Sequence, residues 1–249
     1  MSRLLILGVS PLPFETTNRS FGPGTRTWQL TQPLLDDGHD VLLIARRIPF
    51  TYPEGCEEEI VVERSGLRYA SITEQLYFGT DYVRKTWDTH RPDAVIFAHG
   101  SASFDSSLVE GRDAPVWIDL CGHVMAEAQA KAAVYEDDSY LDYFFNRVIG
   151  SLFCGDRFSS VSEAQKYAVI GELGLAGRLN SKTDGHELVH TIPCGVEEDE
   201  YENQGPAFRG IDVPEDAVVV LWSGGFNTWT DIDTLFRGLS WAMERDSSV

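Results

Sequence analysis

The sequence predicts an α/β protein with a Rossmann-like, mostly parallel sheet and helices on both of its faces. Three observations support this fold class. Short apolar runs alternate with segments of helical periodicity along most of the chain. The apolar runs are continuous, as in strands that are buried on both faces. Several of them are bounded by glycine or proline, which mark turns.

The first half of the chain supplies the first elements in order. The uninterrupted apolar run at 3–9 predicts a strand, and 25–38 predicts a helix because Thr25 is a suitable N-cap and Gly38 a suitable stop. A second strand is predicted at 39–47. The remaining predictions are an acidic, irregular segment at 51–66, a short strand at 67–72 and one helix at 74–90.

The second half continues the same alternation. Strands are predicted at 92–100, 114–123, 156–162 and 188–193, with helices at about 123–134 and 139–153 and another that ends near Leu173. Leu141, Val148 and Leu152 recur at helical spacing, which is typical of a core-facing stripe.

Two domains are predicted: residues 1–195 as a Rossmann-like domain and 214–249 as the incomplete start of a second one, joined by an acidic linker at 196–213. The last segment contains a predicted strand at 216–225 and a helix at 231–245. A single strand–helix unit cannot bury its own apolar face. The segment is therefore expected to pack on the first domain or to open a second.

Composition limits the classes of binding partner that the chain can have. The 249 residues carry a net charge of −19, which argues against nucleic acid or anionic lipid as the main partner. The four cysteines show no CxxC spacing, so neither a zinc site nor a disulfide framework is predicted. No apolar run is long enough for a transmembrane segment or a signal peptide. The predicted location is the cytoplasm, with reduced thiols.

The segment between the first strand and the first helix is a candidate binding site. Ligands of open α/β sheets bind beyond the carboxyl ends of the strands. Gly22 and Gly24 let a ligand approach the backbone, and the helix start with Arg26 favours an anion. The alternative is a flexible turn with no ligand.

A second candidate site follows from DLCGH, residues 119–123, at another strand end. Asp119 could accept a proton or hold a sugar hydroxyl, and His123 near a helix start could donate to a substrate oxygen. Glu127, one turn later, could orient His123, and His99 ends the neighbouring strand. The alternatives are that Asp119 caps a turn and that His123 is an ordinary surface residue.

Two other motifs suggest competing functions, but the sequence supports each of them only weakly. Arg46 and Arg47 after the second strand could mimic an NADP site, but the first strand lacks the G-x-G-x-x-G fingerprint. HELVH, residues 186–190, matches a zinc-protease pattern that works only on a helix. Because its tail reads as a strand, no metal is predicted.

Four segments match motifs of one known family in order and spacing. TIPCGVEEDEY (191–201) is similar to that family's I-P-N-G-V-D turn, and SSVSEAQ (159–165) to its vS strand and following helix. The glycine segment near the N-terminus matches in place, and LWSGGFNTWTDIDTL (221–235) is similar to V-G-R-L-x-x-x-K-G-x-D-x-L. Together these segments resemble family-4 glycosyltransferases.

The resemblance implies the GT-B architecture, with an acceptor-binding N-terminal domain and a donor-binding C-terminal domain. It implies retaining, metal-independent transfer of a hexose from a nucleotide-sugar co-substrate to a glycan, lipid-linked or small-molecule acceptor. It assigns the donor phosphates to Gly224, Gly225, Asn227 and Thr228. The family's paired glutamates would lie beyond Val249, so the chain is expected to be a fragment and inactive alone.

This sequence departs from the family at two positions where the family has a positively charged side chain. Gly225 stands where the family has a phosphate-binding arginine, and Thr230 where it has a lysine. Both cations stabilise the leaving diphosphate. The alternative hypothesis is therefore a non-catalytic sugar- or partner-binding module derived from the same fold.

Overall fold

The computed structural model describes residues 1–15, 17, 21–54, 60–64, 66–79, 81–196, 202 and 205–245. The chain divides into two units. The first unit comprises Met1–Met125 and Leu141–Gly195, and the second comprises Ala126–Tyr140 and Val196–Val249. The predicted domain limits stay predictions, and residues 197–201, 203 and 204 of the predicted linker lie outside the described residues.

An eight-stranded sheet forms the centre of the first unit. Its strands are β1 (Arg3–Ser10), β2 (Asp40–Arg47), β3 (Ile60–Arg64), β4 (Leu67–Ile72), β5 (Ala94–Phe97), β6 (Val116–Leu120), β7 (Arg157–Ser160) and β8 (Val189–Thr191). Their spatial order is β3-β4-β2-β1-β5-β6-β7-β8. Every neighbouring pair is parallel except β3 and β4.

The helices of the described chain are α1 (Gly22–Asp36), α2 (Glu74–Gly79), α3 (Tyr82–His90), α4 (Gly100–Ser103), α5 (Val124–Tyr135), α6 (Ser139–Cys154), α7 (Glu163–Leu175) and α8 (Ile232–Met243). None of the helices among the described residues combines the length and the apolar character that crossing a membrane requires.

Alternating side chains of the strands build two apolar layers. Leu5 of β1 lies in one buried cluster with Trp87 of α3 and Leu152 of α6. The next residue, Ile6, lies in a second cluster with Leu30 of α1. Because successive side chains of a strand point to opposite faces, these clusters cover the two sides of the sheet. The predicted α/β class, with helices on both faces, is confirmed.

The strand order reverses direction at β1. From β1 the chain moves outward to β2 and β4 on one side, and then returns to add β5, β6, β7 and β8 on the other. Such a reversal leaves a gap outside the carboxyl ends of the two central strands. Here those strands are β1 and β5, so the loops that follow them border the candidate site.

Three predicted elements were wrong, two of them in the first unit and one in the second. Residues 60–64 were predicted to be irregular but form β3, because pairing with β4 satisfies their backbone polar groups. The single predicted helix at 74–90 is two helices, with Asp81 as the N-cap of the second.

The predicted strand at 216–225 is absent from the described structure, in which this segment is irregular. Its apolar side chains are exposed, among them Val218, Val220 and Leu221. A strand forms only where a neighbour completes its hydrogen bonds, and local sequence preference does not supply one. The predicted helix after it is present as α8.

Candidate functional site

The Gly-Pro-Gly segment is the first turn of α1 and not a free loop. The helix begins at Gly22 with Phe21 as its N-cap, three residues before the predicted cap at Thr25. Phe21 makes no side-chain capping hydrogen bond. The first N–H groups of a helix have no intrahelical partner, so this end favours an anion.

The two glycines of this turn differ in what they contact. A β-carbon placed on Gly24 would lie 1.8 Å from the carbonyl oxygen of Pro11, whereas one placed on Gly22 would meet nothing within 4 Å. Gly24 is buried and Gly22 is exposed. Gly24 is thus required for packing α1 against the end of β1, and only Gly22 is open to a ligand.

Arg26 and Asp119, both predicted site residues, are bonded to each other in the interior. Their side chains are 4% and 0% exposed. Arg26 Nη2 donates to Asp119 Oδ1 at 2.8 Å and Nε donates to Oδ2 at 3.1 Å. Burial is the largest single influence on the pKa of Arg26 and lowers it. The hydrogen bond to Asp119 and the charge of that carboxylate act in the opposite direction, and with smaller contributions from nearby thiols they leave the pKa above its ordinary value. This bidentate pair joins α1 to β6.

The same pair reaches two further elements. Ser159 of β7 donates its hydroxyl to Asp119 Oδ1 at 2.6 Å. Arg26 also donates to the carbonyl oxygens of Ile192 and Pro193, at 2.8 and 2.9 Å. We call Ile192–Gly195 the IPCG turn. With both oxygens of Asp119 accepting hydrogen bonds, the arrangement anchors α1, β6, β7 and the IPCG turn to one another.

His99 follows β5 in a left-handed backbone conformation, with φ of 58°. Its ring is half-buried, and its Nδ1 lies 3.3 Å from the hydroxyl of Ser101. Burial lowers the pKa of His99, while the nearby Asp119 charge acts in the opposite direction. His99 is therefore neutral at pH 7 and able to accept or donate one hydrogen bond.

His123 lies in a separate small pocket at the same edge of the sheet, which we call the His123 pocket. Its polar lining consists of Ser101, His123, Arg147, Ser151, Gln165 and Glu172. The free space is about 30 Å³. That volume holds a water molecule or a hydroxyl group and is too small for a sugar ring.

The His123 ring pairs with an acid that the sequence did not single out. His123 Nε2 lies 3.3 Å from Glu172 Oε1 of α7, and the two side chains are 43% and 28% exposed. Glu127, the predicted partner, lies in the first turn of α5. Because residue 127 belongs to the second unit, its predicted role toward His123 stays a prediction.

The predicted donor-phosphate residues form a local turn in the second unit. Thr230 Oγ1 donates to the carbonyl oxygen of Asn227 at 2.8 Å, and Asn227 N–H donates to Thr230 Oγ1 at 3.0 Å. The indole of Trp222 donates to the carbonyl oxygen of Gly224 at 3.2 Å. Gly224, Gly225 and Asn227 are exposed and Thr228 is half-buried. Their role in phosphate binding is untested.

The competing motifs are engaged in other contacts. Arg46 pairs with Glu74 at 2.6 Å. The guanidinium of Arg47 stacks 3.4 Å from the centre of the Tyr52 ring, and its Nη1 lies 3.4 Å from the Ser71 hydroxyl. These contacts favour a structural role over an NADP site.

The HELVH segment is not helical. His190 lies in β8, and Glu187 pairs with Lys166 at 2.7 Å. A zinc-protease arrangement needs both histidines on one helical face. Within the described residues, no group of three or more potential metal ligands occurs.

Three further residues contact the predicted site at this edge and were not predicted from the sequence: Ser159, Glu172 and Gln165. Gln165 donates to the carbonyl oxygens of Leu120 and Gly122, at 2.7 Å each, and so fixes the chain between β6 and His123. Gln165 lies within the SSVSEAQ segment, but nothing in its spacing indicates this contact. Ser159 and Glu172 likewise carry no sequence signal.

No family model matches the chain, and no curated protein matches it. Among solved structures, it is similar to the apo structure of OtsA, with 9% identity over 79% of this chain and 50% of that one, and a TM-score of 0.43. It is also similar to a structure described as "Trehalose-6-phosphate from E. coli bound with UDP-2-fluoro glucose", with 11% identity over 79% and 49%, and a TM-score of 0.41. The chain spans about half the length of these structures. Similarity at this level carries no argument about activity.

Proposed function

We propose that this chain is the acceptor-side part of a family-4-like glycosyltransferase of GT-B architecture. It would transfer a hexose from a nucleotide-sugar to a glycan, lipid-linked or small-molecule acceptor, without a metal and with retention of configuration. The supporting observation is that the three first-unit segments carrying the resemblance converge. The start of α1, the start of α7 and the IPCG turn all meet at the carboxyl edge of the sheet.

The chemistry of this edge suits a sugar. In the proposal, the substrate lies across the mouth of the His123 pocket, because the interior admits only a hydroxyl group or a water. His123 would hydrogen-bond a sugar oxygen at this mouth, and Glu172 would orient the imidazole ring. His99 would supply a second imidazole ring beside the same edge, and this one is neutral.

Asp119 receives a positioning role in the proposal. Its carboxylate has no exposed surface, and Arg26 and Ser159 occupy its oxygens. A group held in this way cannot take a proton from a substrate unless the anchor opens. We therefore assign contact with the substrate to His123, with Gly22 at the start of α1 as the open approach for an anionic group.

Binding of free hexoses tests the proposed site. Saturation-transfer NMR on the chain is expected to show weak, saturable binding of a hexose. His123→Ala should weaken it about tenfold, the equivalent of one lost hydrogen bond. His186→Ala, at an exposed turn residue, is the matched control and should bind as the unchanged chain does. No saturable signal, or equal signals from both variants, would contradict the proposal.

A non-catalytic binding module is the second candidate. The absence of a cation at Gly225 and Thr230 favours it, because the leaving diphosphate would lack its usual counter-charges. Release of nucleoside diphosphate from uridine and guanosine nucleotide-sugars by the full-length gene product separates the two. Release that depends on an acceptor supports the transferase, and His123-dependent sugar binding without any release supports the module.

A further inference from the structure

Two cysteines that are distant in the sequence meet at the edge of the sheet. Cys121 follows β6, and Cys194 lies in the IPCG turn. Their side chains lie next to each other, and both are free thiols. The sequence predicts scattered thiols with no disulfide framework, so the fold alone creates this contact.

The backbone on either side of Cys194 is held in place. Arg26 donates to the carbonyl oxygen of Pro193, at 2.9 Å, and Gln29 donates to that of Gly195, at 3.0 Å. Both donors belong to α1. The turn therefore presents Cys194 from a fixed position.

The backbone on either side of Cys121 is held in the same way. The side-chain amide of Gln165 donates to the carbonyl oxygens of Leu120 and Gly122, at 2.7 Å each. Because both cysteines lie between anchored neighbours, their contact follows from the fold and does not depend on a mobile segment.

The two thiols differ in accessibility. Cys194 is exposed, whereas Cys121 is half-buried. Burial first, and then the charges of Asp119 and Cys194, raise the pKa of Cys121 to about 12. An external reagent therefore reaches Cys194 first, and Cys121 is the thiol that reacts second.

We propose that Cys121 and Cys194 form a reversible disulfide site whose oxidant is a low-molecular-weight disulfide such as glutathione disulfide. The Cys194 thiolate attacks one sulfur of that molecule, forms a mixed disulfide and releases one glutathione. The Cys121 thiolate, after losing its proton to solvent, attacks the Cys194 sulfur and releases the second glutathione. One glutathione disulfide is reduced to two thiols, and two protein thiols are oxidised to one disulfide.

The bond would tie the end of β6 covalently to the IPCG turn. It joins the segment that carries His123 to the segment where the first unit ends. A crosslink between such distant positions restricts the unfolded chain, so the oxidised protein should melt at a higher temperature than the reduced protein. This site does not depend on the proposed glycosyl transfer.

The test uses Cys56→Ser/Cys154→Ser as its background, which leaves only the two thiols of interest. After equilibration with glutathione and glutathione disulfide, the intact mass should fall by two hydrogen atoms. A peptide joining the two cysteines should appear, and dithiothreitol should reverse both changes. A stable glutathione adduct, a disulfide-linked dimer or an absence of reaction would overturn the proposal.

Two further variants and one solvent condition sharpen this result. In the same background, Cys121→Ser should stop at a glutathione adduct on Cys194, and Cys194→Ser should leave Cys121 unmodified in the folded protein. If either serine variant fails to fold, the background protein still decides the question. Its disulfide should form at a lower ratio of oxidised to reduced glutathione when folded than in urea, and an equal or higher ratio would overturn the proposal.

Discussion

The Arg26–Asp119 pair and the His123–Glu172 pair lie at the same edge of one sheet, yet they suit opposite tasks. The first pair is inside the protein and binds two further elements. The second is partly exposed and lines a pocket. A carboxylate next to a basic side chain can therefore have either of two roles. Burial and the occupancy of its oxygens distinguish an anchor of the fold from a group that can meet a ligand.

The comparison also explains why the edge can serve as a site at all. The loops after parallel strands have no regular hydrogen bonds of their own, so something else must hold them. Here the buried ion pair and Gln165 fix the backbone around the His123 pocket. The buried pair of Arg26 and Asp119 keeps the loops in place, and the exposed pair of His123 and Glu172 is the one that can contact a ligand.

The largest effect is expected from Asp119→Asn. It leaves the Arg26 guanidinium buried without a counter-charge, which should lower the free energy of unfolding by about 3–5 kcal/mol. Urea denaturation measures the loss. Asp93→Asn is the matched control, because Asp93 pairs with Arg3 at the surface and should cost far less. Equal losses would mean that the buried pair is no anchor.

Gly24→Ala is expected to have the next largest effect. The new methyl group would overlap the Pro11 carbonyl, and the required shift of α1 should cost about 1–3 kcal/mol. Gly22→Ala, two residues away in the same helical turn, meets open space and should stay within about 0.5 kcal/mol. Thermal melts of the two variants compare them directly. A tolerated Gly24→Ala would show that α1 does not pack so closely on the end of β1.

A smaller effect concerns pH. Burial lowers the pKa of His99 in the folded protein, so the unfolded chain binds a proton first as the pH falls. Stability should therefore be complete above about pH 6.5, the ordinary histidine value, and decrease below it. His99→Asn removes this part of the dependence while tolerating the left-handed backbone.

The pH experiment compares urea midpoints at pH 7.5 and 5.5. His186→Asn, at an exposed turn residue, should keep the dependence of the unchanged chain. His90 contributes in the same direction, because burial and then Arg68 lower its pKa, so His99→Asn should remove only part of the change. An unaltered pH dependence in His99→Asn would contradict the assignment of a neutral, half-buried ring.

The smallest effect on stability is expected from His123→Ala. Its contact with Glu172 is partly exposed, so the free energy of unfolding should change by no more than about 0.5 kcal/mol. Urea denaturation checks this value beside Asp119→Asn. A loss as large as that of Asp119→Asn would erase the distinction between the two pairs.

Much of this edge could be predicted because its residues follow strand ends. Asp119 lies near the end of β6, His99 follows β5, and Arg26 lies in the helix after β1, so the rule about carboxyl ends places them together. Their partners could not be predicted in the same way. Ser159, Glu172 and Cys194 come close through strand order and helix packing, which local spacing does not encode.

The segment 216–225 shows most plainly why strands cannot always be predicted from sequence. Its apolar run reads as a strand as convincingly as the run that forms β1, but only the latter has neighbours on both sides. Residues 60–64 give the reverse case, since they lie within the segment at 51–66 that was predicted to be irregular and yet form β3 beside β4. Strand formation depends on a partner, and the partner is a property of the fold.

The sequence by itself determined the alternation of strands and helices, the α/β class and the edge of the sheet where polar residues gather. Each of these depends on periodicity and on the order of elements, which are local properties of the chain. Only the tertiary structure decided which charged groups are buried together, which histidine faces a pocket and which two thiols touch. Those outcomes depend on distances between segments far apart in the chain, and folding sets these distances by burying apolar faces and satisfying buried polar atoms together.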